Sequence, residues 1–265
     1  TTGHAIHLSV TASNAGRASA DHEQNARACR VGYIGALVAT VVGYAYLLGY
    51  ILLLAVYPVQ PWQGLEAFSR SLMTPYGTAL TVLQVLAFFQ AFSIAVTVIA
   101  IVQNAAPHRR IFGRMAEIAV TSFVVLSCLH YFVQWAAVRP SIIKGSLDGL
   151  SQFVQFNFDS PLSAINMLGW TLFYGLASLS ISALFRGRGR LAWVRWGFVA
   201  CGLNGVVSAI GLAAGQQITY LLWTIGVSIT WYVYPLMMGV FRDWLLEAAA
   251  RSQPIRTGSL FGPGD

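Results

Sequence analysis

Apolar residues in this chain come in six long runs separated by short polar connections. The runs cover about 31–57, 77–104, 113–138, 162–185, 191–214 and 217–245. Each is long enough to cross about 30 Å of hydrocarbon as a helix, which takes roughly 20 residues. Proline marks the borders: Pro58 and Pro61 after the first run, Thr74-Pro75 before the second, Pro107 after it and Arg139-Pro140 after the third. Ser160-Pro161 combines an N-cap residue with proline at the first helical position, a start signal for the fourth. The connection "GQQ", 215–217, is short enough to make the fifth and sixth runs an antiparallel pair.

The pattern predicts an all-α, polytopic integral membrane protein: a six-transmembrane-helix bundle over 31–245, with tails at 1–30 and 246–265. Residues 139–161 form the longest connection. Within it Leu147, Leu150, Val154 and Phe158 recur at helical spacing among Asp148, Ser151, Gln152 and Gln155. A short amphipathic helix on the outer surface between spans three and four is therefore expected, over about 146–158, either as a lid or as a simple seal.

Composition agrees. The 265 residues are 56% hydrophobic and 9% charged, against about 25% charged in a soluble domain. The sixteen cations, all arginine except Lys144, sit in the tails, between the runs or near the runs' ends. Arg17, Arg27, Arg30, Arg109, Arg110, Arg114, Arg186, Arg188, Arg190, Arg195, Arg242, Arg251 and Arg256 fall on one side; Arg70, Arg139 and Lys144 fall on the other. Positive charge stays on the cytoplasmic side, so both termini are expected there. Clusters of this kind read as topology determinants, and nucleic acid is not an expected partner. Residues 1–30 lack an apolar signal-peptide core, so the first span is expected to insert and remain.

The connections give the spans a direction, and with it the polar residues a depth. His130 and Gln134 lie one turn apart in the outer half of span three; Asn166 and Trp170 repeat that spacing in span four. Asn204 lies in span five, Tyr220 and Trp223 in span six, and Gln84 and Gln90 in span two. A polar group facing hydrocarbon without a partner costs several kcal/mol, so these side chains are expected to turn inward. Two readings stay open: hydrogen-bonded glue between helices, or the lining of an outward-opening pocket. The candidate ligand-binding set is His130, Gln134, Asn166, Trp170, Asn204, Tyr220 and Trp223, with His130 and Gln134 on the pocket floor beneath 146–158. Glu117, at i+3 from Arg114, is expected to pair with it. Gly202, Gly205 and the Gly211–Gly215 pair invite close helix packing in span five.

Several chemistries lack their signatures: no P-loop, no HExxH, no GxSxG, no lysine in a span for a Schiff base. Cys29, Cys128 and Cys201 share no metal-binding spacing, and a second membrane histidine for haem is absent, so no cofactor or metal is expected. Three functions follow. The first is a non-enzymatic membrane protein that binds or transports a small lipophilic or weakly polar molecule. The second is a membrane enzyme on a lipid or isoprenoid-like substrate with His130 as acid or base; the third is a structural subunit of a larger membrane complex. Expected partners are membrane lipid, a small lipophilic ligand, and either copies of the chain or a larger assembly.

Overall fold

The computed structural model describes residues 2–57, 62–155, 157, 159–215 and 218–252, with side chains placed from Glu23 onward except at 218–224, 227, 251 and 252. The described residues are helical and include no strand. The main helices are α1 (Thr2–Val56), α2 (Leu65–Leu72), α3 (Pro75–Gln103), α4 (Arg110–Val133), α5 (Arg139–Ile143), α6 (Pro161–Leu168), α7 (Tyr174–Ser182), α8 (Arg190–Ala213) and α9 (Ile218–Ser252). Two wide, π-helical turns, Gln134–Val138 and Gly169–Phe173, join α4 to α5 and α6 to α7. Five continuous stretches are long and apolar enough to cross a membrane: Glu23–Val56, Pro75–Gln103, Pro107–Ile143, Pro161–Ser182 and Arg190–Ala213. They fall on the first five expected spans, and α9 covers the sixth run. α1 begins well before the first apolar run.

Neighbours in sequence are neighbours in space. α1 packs on α3, α3 on α4, α4 on α6–α7, α7 on α8, α8 on α9, and α9 back on α1. The result is a closed up-and-down ring. One end carries the segments 62–74 and 144–155 and the C-terminal end of α8; the other carries 104–109 and 183–189. These are called the loop end and the arginine end.

Four helices, α1, α3, α4 and α8, show an apolar stripe to the outside at seven-residue spacing: Ile34, Val41 and Leu48; Val82, Phe89 and Val96; Ile111, Ile118, Val125 and Phe132; Leu203 and Ile210. A water-soluble protein does not leave such continuous apolar surface open, whereas lipid covers it at no cost. The inward faces form one core, including Ile94, Phe123, Phe198 and Phe241. A second, smaller core at the loop end joins Phe68 of α2, Leu80, Val138, Ile142, Leu150 and Val154.

Close packing between α7 and α8 rests on glycine. A Cβ on Gly205 would lie 2.6 Å from the Thr171 carbonyl oxygen, and one on Gly175 would lie 3.0 Å from the Gly202 oxygen. The wide turns have local causes. Pro140 has no N–H for the Ala136 carbonyl, and its ring crowds the preceding turn, so Gln134–Val138 widens. Before the second, the Thr171 hydroxyl takes the Met167 carbonyl at 2.6 Å. There Gly169 lies so close to α4 that a Cβ would sit 3.2 Å from Ser127 Oγ.

The amphipathic helix expected over 146–158 is represented by one 3-10 turn, Leu150–Phe153. Gly145 (φ 73°) and Gly149 (φ 70°) bend the chain on its N-terminal side. Beyond the turn, side chains capture the carbonyls a helix would need. Phe153 O accepts from Gln134, Val154 O from Ser160 and Ser163, and Gln155 O from Ser163. The apolar pattern is nevertheless used: Leu150 and Val154 are buried in the small core, with Leu147 packed against it.

Candidate functional site

The polar residues of spans two, three and four meet at the loop end. His130, Gln134, Asn166 and Trp170 all face inward, with relative exposures of 0%, 3%, 9% and 5%. Span three carries the first pair up to its wide turn, and span four carries the second pair into its own. π-helical turns inside helices are frequent at functional sites, because they rotate the following side chains relative to those before.

Gln134 is the hub of a network built on the connection. Its Nε2 donates to the Phe153 carbonyl at 2.6 Å, and its Oε1 accepts from the Gln155 N–H at 3.3 Å. Gln84 of α3 donates to Gln155 Oε1 at 2.6 Å and accepts from Trp135 Nε1 at 3.2 Å. The helix start below is tied in as well: Ser160 caps α6 by accepting the Ser163 N–H at 3.1 Å. Loop, span two, span three and span four are thus joined by hydrogen bonds that are mostly side chain to backbone.

His130 lies one turn deeper. Its Nδ1 faces the Leu162 carbonyl of α6 at 3.3 Å. A carbonyl only accepts, so Nδ1 carries the proton and Nε2 presents a lone pair. Among the described residues Nε2 has no hydrogen-bond partner, and neither do Ser127 Oγ and Asn166 Oδ1. The Tyr131 hydroxyl lies beside Trp170 and Asn166 and brings the two spans together there. Trp170 also meets Phe123 edge-on, with ring centroids 4.8 Å apart. A buried polar atom without a partner costs about 1–3 kcal/mol, so this span three–span four interface holds unspent hydrogen-bonding capacity.

Next to the network is a crevice with space for about a single water molecule. Its apolar side is Phe68, Leu72 and Leu80; its polar side is Thr81, Gln84, Gln134 and Arg139. Arg139 Nη1 donates to the Gly77 carbonyl at 3.0 Å and also to the Thr81 hydroxyl.

The other expected site residues lie apart. Asn204 packs at the α8–α9 interface, where a Cβ on Gly226 would strike its Oδ1. The side chains of Tyr220 and Trp223 lie outside the described residues. A second polar group sits between α7, α8 and α9: the Tyr174 hydroxyl donates to Thr230 Oγ1 at 3.1 Å, with Cys201 Sγ 3.7 Å from that same oxygen. Gln84, Ser163, Tyr131, Thr81 and Arg139 are the site residues missing from the expected set. Gln84 carried a signal, an amide within an apolar run, and Gln155 lay on the polar side of the expected loop helix; the roles of Thr81 and Arg139 depend on the contact between α3 and the start of α5.

At the arginine end the polar contacts are structural. Arg109 is buried and donates to the Ala183 and Leu184 carbonyls at 3.1 and 2.7 Å, capping the C-terminal end of α7. Arg114 and Glu117 pair at 3.4 Å, as their spacing implied, and Arg190 pairs with Asp243. No group of three or more metal-ligating side chains occurs among the described residues.

Comparison of the chain with family models, with curated proteins and with solved structures finds no match.

Proposed function

We propose that the chain is a six-span membrane protein with both termini cytoplasmic, and that it binds or moves a small, mostly apolar molecule through its loop end, which faces outward. The observation that supports this most is the set of buried, unpartnered atoms His130 Nε2, Asn166 Oδ1 and Ser127 Oγ between two helices with wide turns. Interhelical glue spends its hydrogen bonds; these atoms keep theirs. The overlying connection is held through Gln134, Gln84 and Ser163, so releasing a few hydrogen bonds opens a path from the crevice downward. Ten of the thirteen Arg and Lys whose side chains are described lie toward the arginine end, which supports the orientation.

An enzymatic reading with His130 as acid or base needs a second titratable group nearby. The connection's carboxylates, Asp148 and Asp159, are both exposed, and the titratable hydroxyl next to His130, that of Tyr131, is held at Trp170 and Asn166, so binding without chemistry is the reading put forward. Native mass spectrometry after gentle solubilisation tests it. A lipophilic molecule retained by the wild type and lost on His130→Ala supports the reading. Retention of bulk phospholipid alone, equal in both proteins, overturns it.

A further inference from the structure

The crevice carries a charge that the binding reading leaves unused. Arg139 lines it as the first residue of α5. The acidic residues of the loop end are Glu66, Asp148 and Asp159; all are exposed, and no ion pair among the described residues includes Arg139. Among the described residues its hydrogen bonds run through Nη1 to Gly77 and Thr81, and its Nε and Nη2 have no partner there. A guanidinium half-buried without a counter-charge is held at a desolvation penalty.

The other polar groups of the crevice are already engaged. Gln84 donates to Gln155 and accepts from Trp135; Gln134 donates to Phe153 and accepts from Gln155. Each amide nitrogen keeps a second N–H beyond the bond described, and the charged share of the wall's donor capacity belongs to Arg139. It is donor capacity, fixed in charge and fork-shaped, which suits an oxyanion. The space, about one water, takes a single headgroup oxygen, with the rest of the headgroup left at the mouth of the crevice. Opposite it lie Phe68 and Leu72 of α2, a helix whose Glu66 and Arg70 are exposed. Phe68 is buried in the small core and Leu72 is half-buried beside it, so a hydrocarbon tail meets an apolar wall at the crevice.

We propose that this crevice is the headgroup subsite for a single-chain lipophilic anion, its carboxylate or phosphate oxygen paired with Arg139 and its chain laid along Phe68 and Leu72. The proposal rests on the binding reading above and names the chemistry of the ligand's polar end. It leaves His130 and Asn166 as the deeper groups met after the headgroup is captured.

The test uses the full chain in bilayer discs of phosphatidylcholine at alkaline pH. Palmitate, hexadecyl phosphate and hexadecanol are the probes. At least one anion should bind on the order of tenfold more tightly than the alcohol, the gain expected of one charge-assisted hydrogen bond. Whether palmitate or the phosphate binds better distinguishes the two headgroups. Arg139→Gln should bring the favoured anion down to the alcohol's affinity, and Arg139→Lys should keep part of the preference. Equal affinity for all three probes in the wild type overturns the headgroup assignment whatever the variants do. If that shared affinity falls on His130→Ala, the binding reading stands; if none of the three binds, both fall. An anion preference that survives in a folded Arg139→Gln places the charge elsewhere and also overturns the proposal. Should Arg139→Gln not fold, the wild-type preference and its reduction in Arg139→Lys decide.

Discussion

Gln134 reaches from the interior of span three to the backbone of the connection above it, donating to the Phe153 carbonyl at 2.6 Å and accepting from the N–H two residues on. An amide side chain here satisfies two backbone groups that a helix over 146–158 would have satisfied by itself. The loop's shape thus depends on a residue in the membrane span. Gln134→Leu should release the Gln155 N–H. Amide exchange at Gln155 should rise by an order of magnitude or more, since losing two partly buried hydrogen bonds costs about 1–3 kcal/mol locally. Unchanged protection at Gln155 would show that Ser163 and Gln84 hold the loop unaided.

Arg109 shows the same logic at the other end. Its guanidinium meets the last free carbonyls of α7, at Ala183 and Leu184. Arg109→Gln should lower thermal stability, by roughly 1–3 kcal/mol for a buried charge-assisted pair of bonds. Arg110→Gln, an exposed neighbour, should change it by less than about 0.5 kcal/mol. Equal losses in the two variants would mean that charge number, rather than capping, matters at this end.

Glycine positions separate steric from conformational demands. A Cβ on Gly205 runs into the Thr171 backbone oxygen at 2.6 Å, while one on Gly149 meets nothing within 4 Å, although its φ is 70°. Gly205→Ala should force α7 and α8 apart and cost about 1–3 kcal/mol, the penalty of overpacking. Gly149→Ala carries only the left-handed backbone strain, about 1 kcal/mol. The order of the two melting temperatures in one detergent is the measurement.

The starts of spans two and four were legible because a local signal sets each, whereas Arg139-Pro140 did not end span three, whose helix runs on to Ile143, and α1 begins well before its apolar run. Thr74-Pro75 and Ser160-Pro161 start helices where the sequence says so. The inward orientation of His130, Gln134, Asn166 and Trp170 was legible for a different reason: hydrocarbon offers polar atoms no partner, so burial follows from chemistry alone. Which partners they take was not. Leu162 O, Phe153 O and Gln155 N are backbone groups, invisible in a side-chain pattern. The apolar spacing of Leu147, Leu150 and Val154 was equally misleading about local structure, because burial of those residues needs only that they face one way, and a 3-10 turn flanked by glycines does this too.

Orientation has its own measurement. With Cys128 replaced by Ala, the remaining Cys29 and Cys201 are buried. A cysteine at Ser146, exposed in the connection, should react with a membrane-impermeant maleimide added outside intact cells. Labelling only after the membrane is broken would place the loop end, and the binding site with it, on the cytoplasmic side.

The unpartnered atoms give the sharpest contrast between a pocket and a packing interface. Ser127 Oγ is fully buried and makes no hydrogen bond among the described residues. Removing such a hydroxyl removes a desolvation penalty, so Ser127→Ala should leave thermal stability unchanged or raise it by up to about 1 kcal/mol. His130 is different, because its Nδ1 serves Leu162 while its Nε2 serves nothing. His130→Ala deletes one long hydrogen bond and leaves a cavity, a loss that His130→Phe reduces by keeping the ring volume. If His130 Nε2 is reserved for a ligand, His130→Phe should keep most of the melting temperature and lose binding on the order of tenfold, the value of one hydrogen-bond partner in a buried site. Ser127→Ala and His130→Phe would then move stability little and binding unequally. A His130→Phe protein that melts as the wild type does and binds as it does would leave Nε2 with no task, and the site would have to be sought around Thr230 and Tyr174 instead.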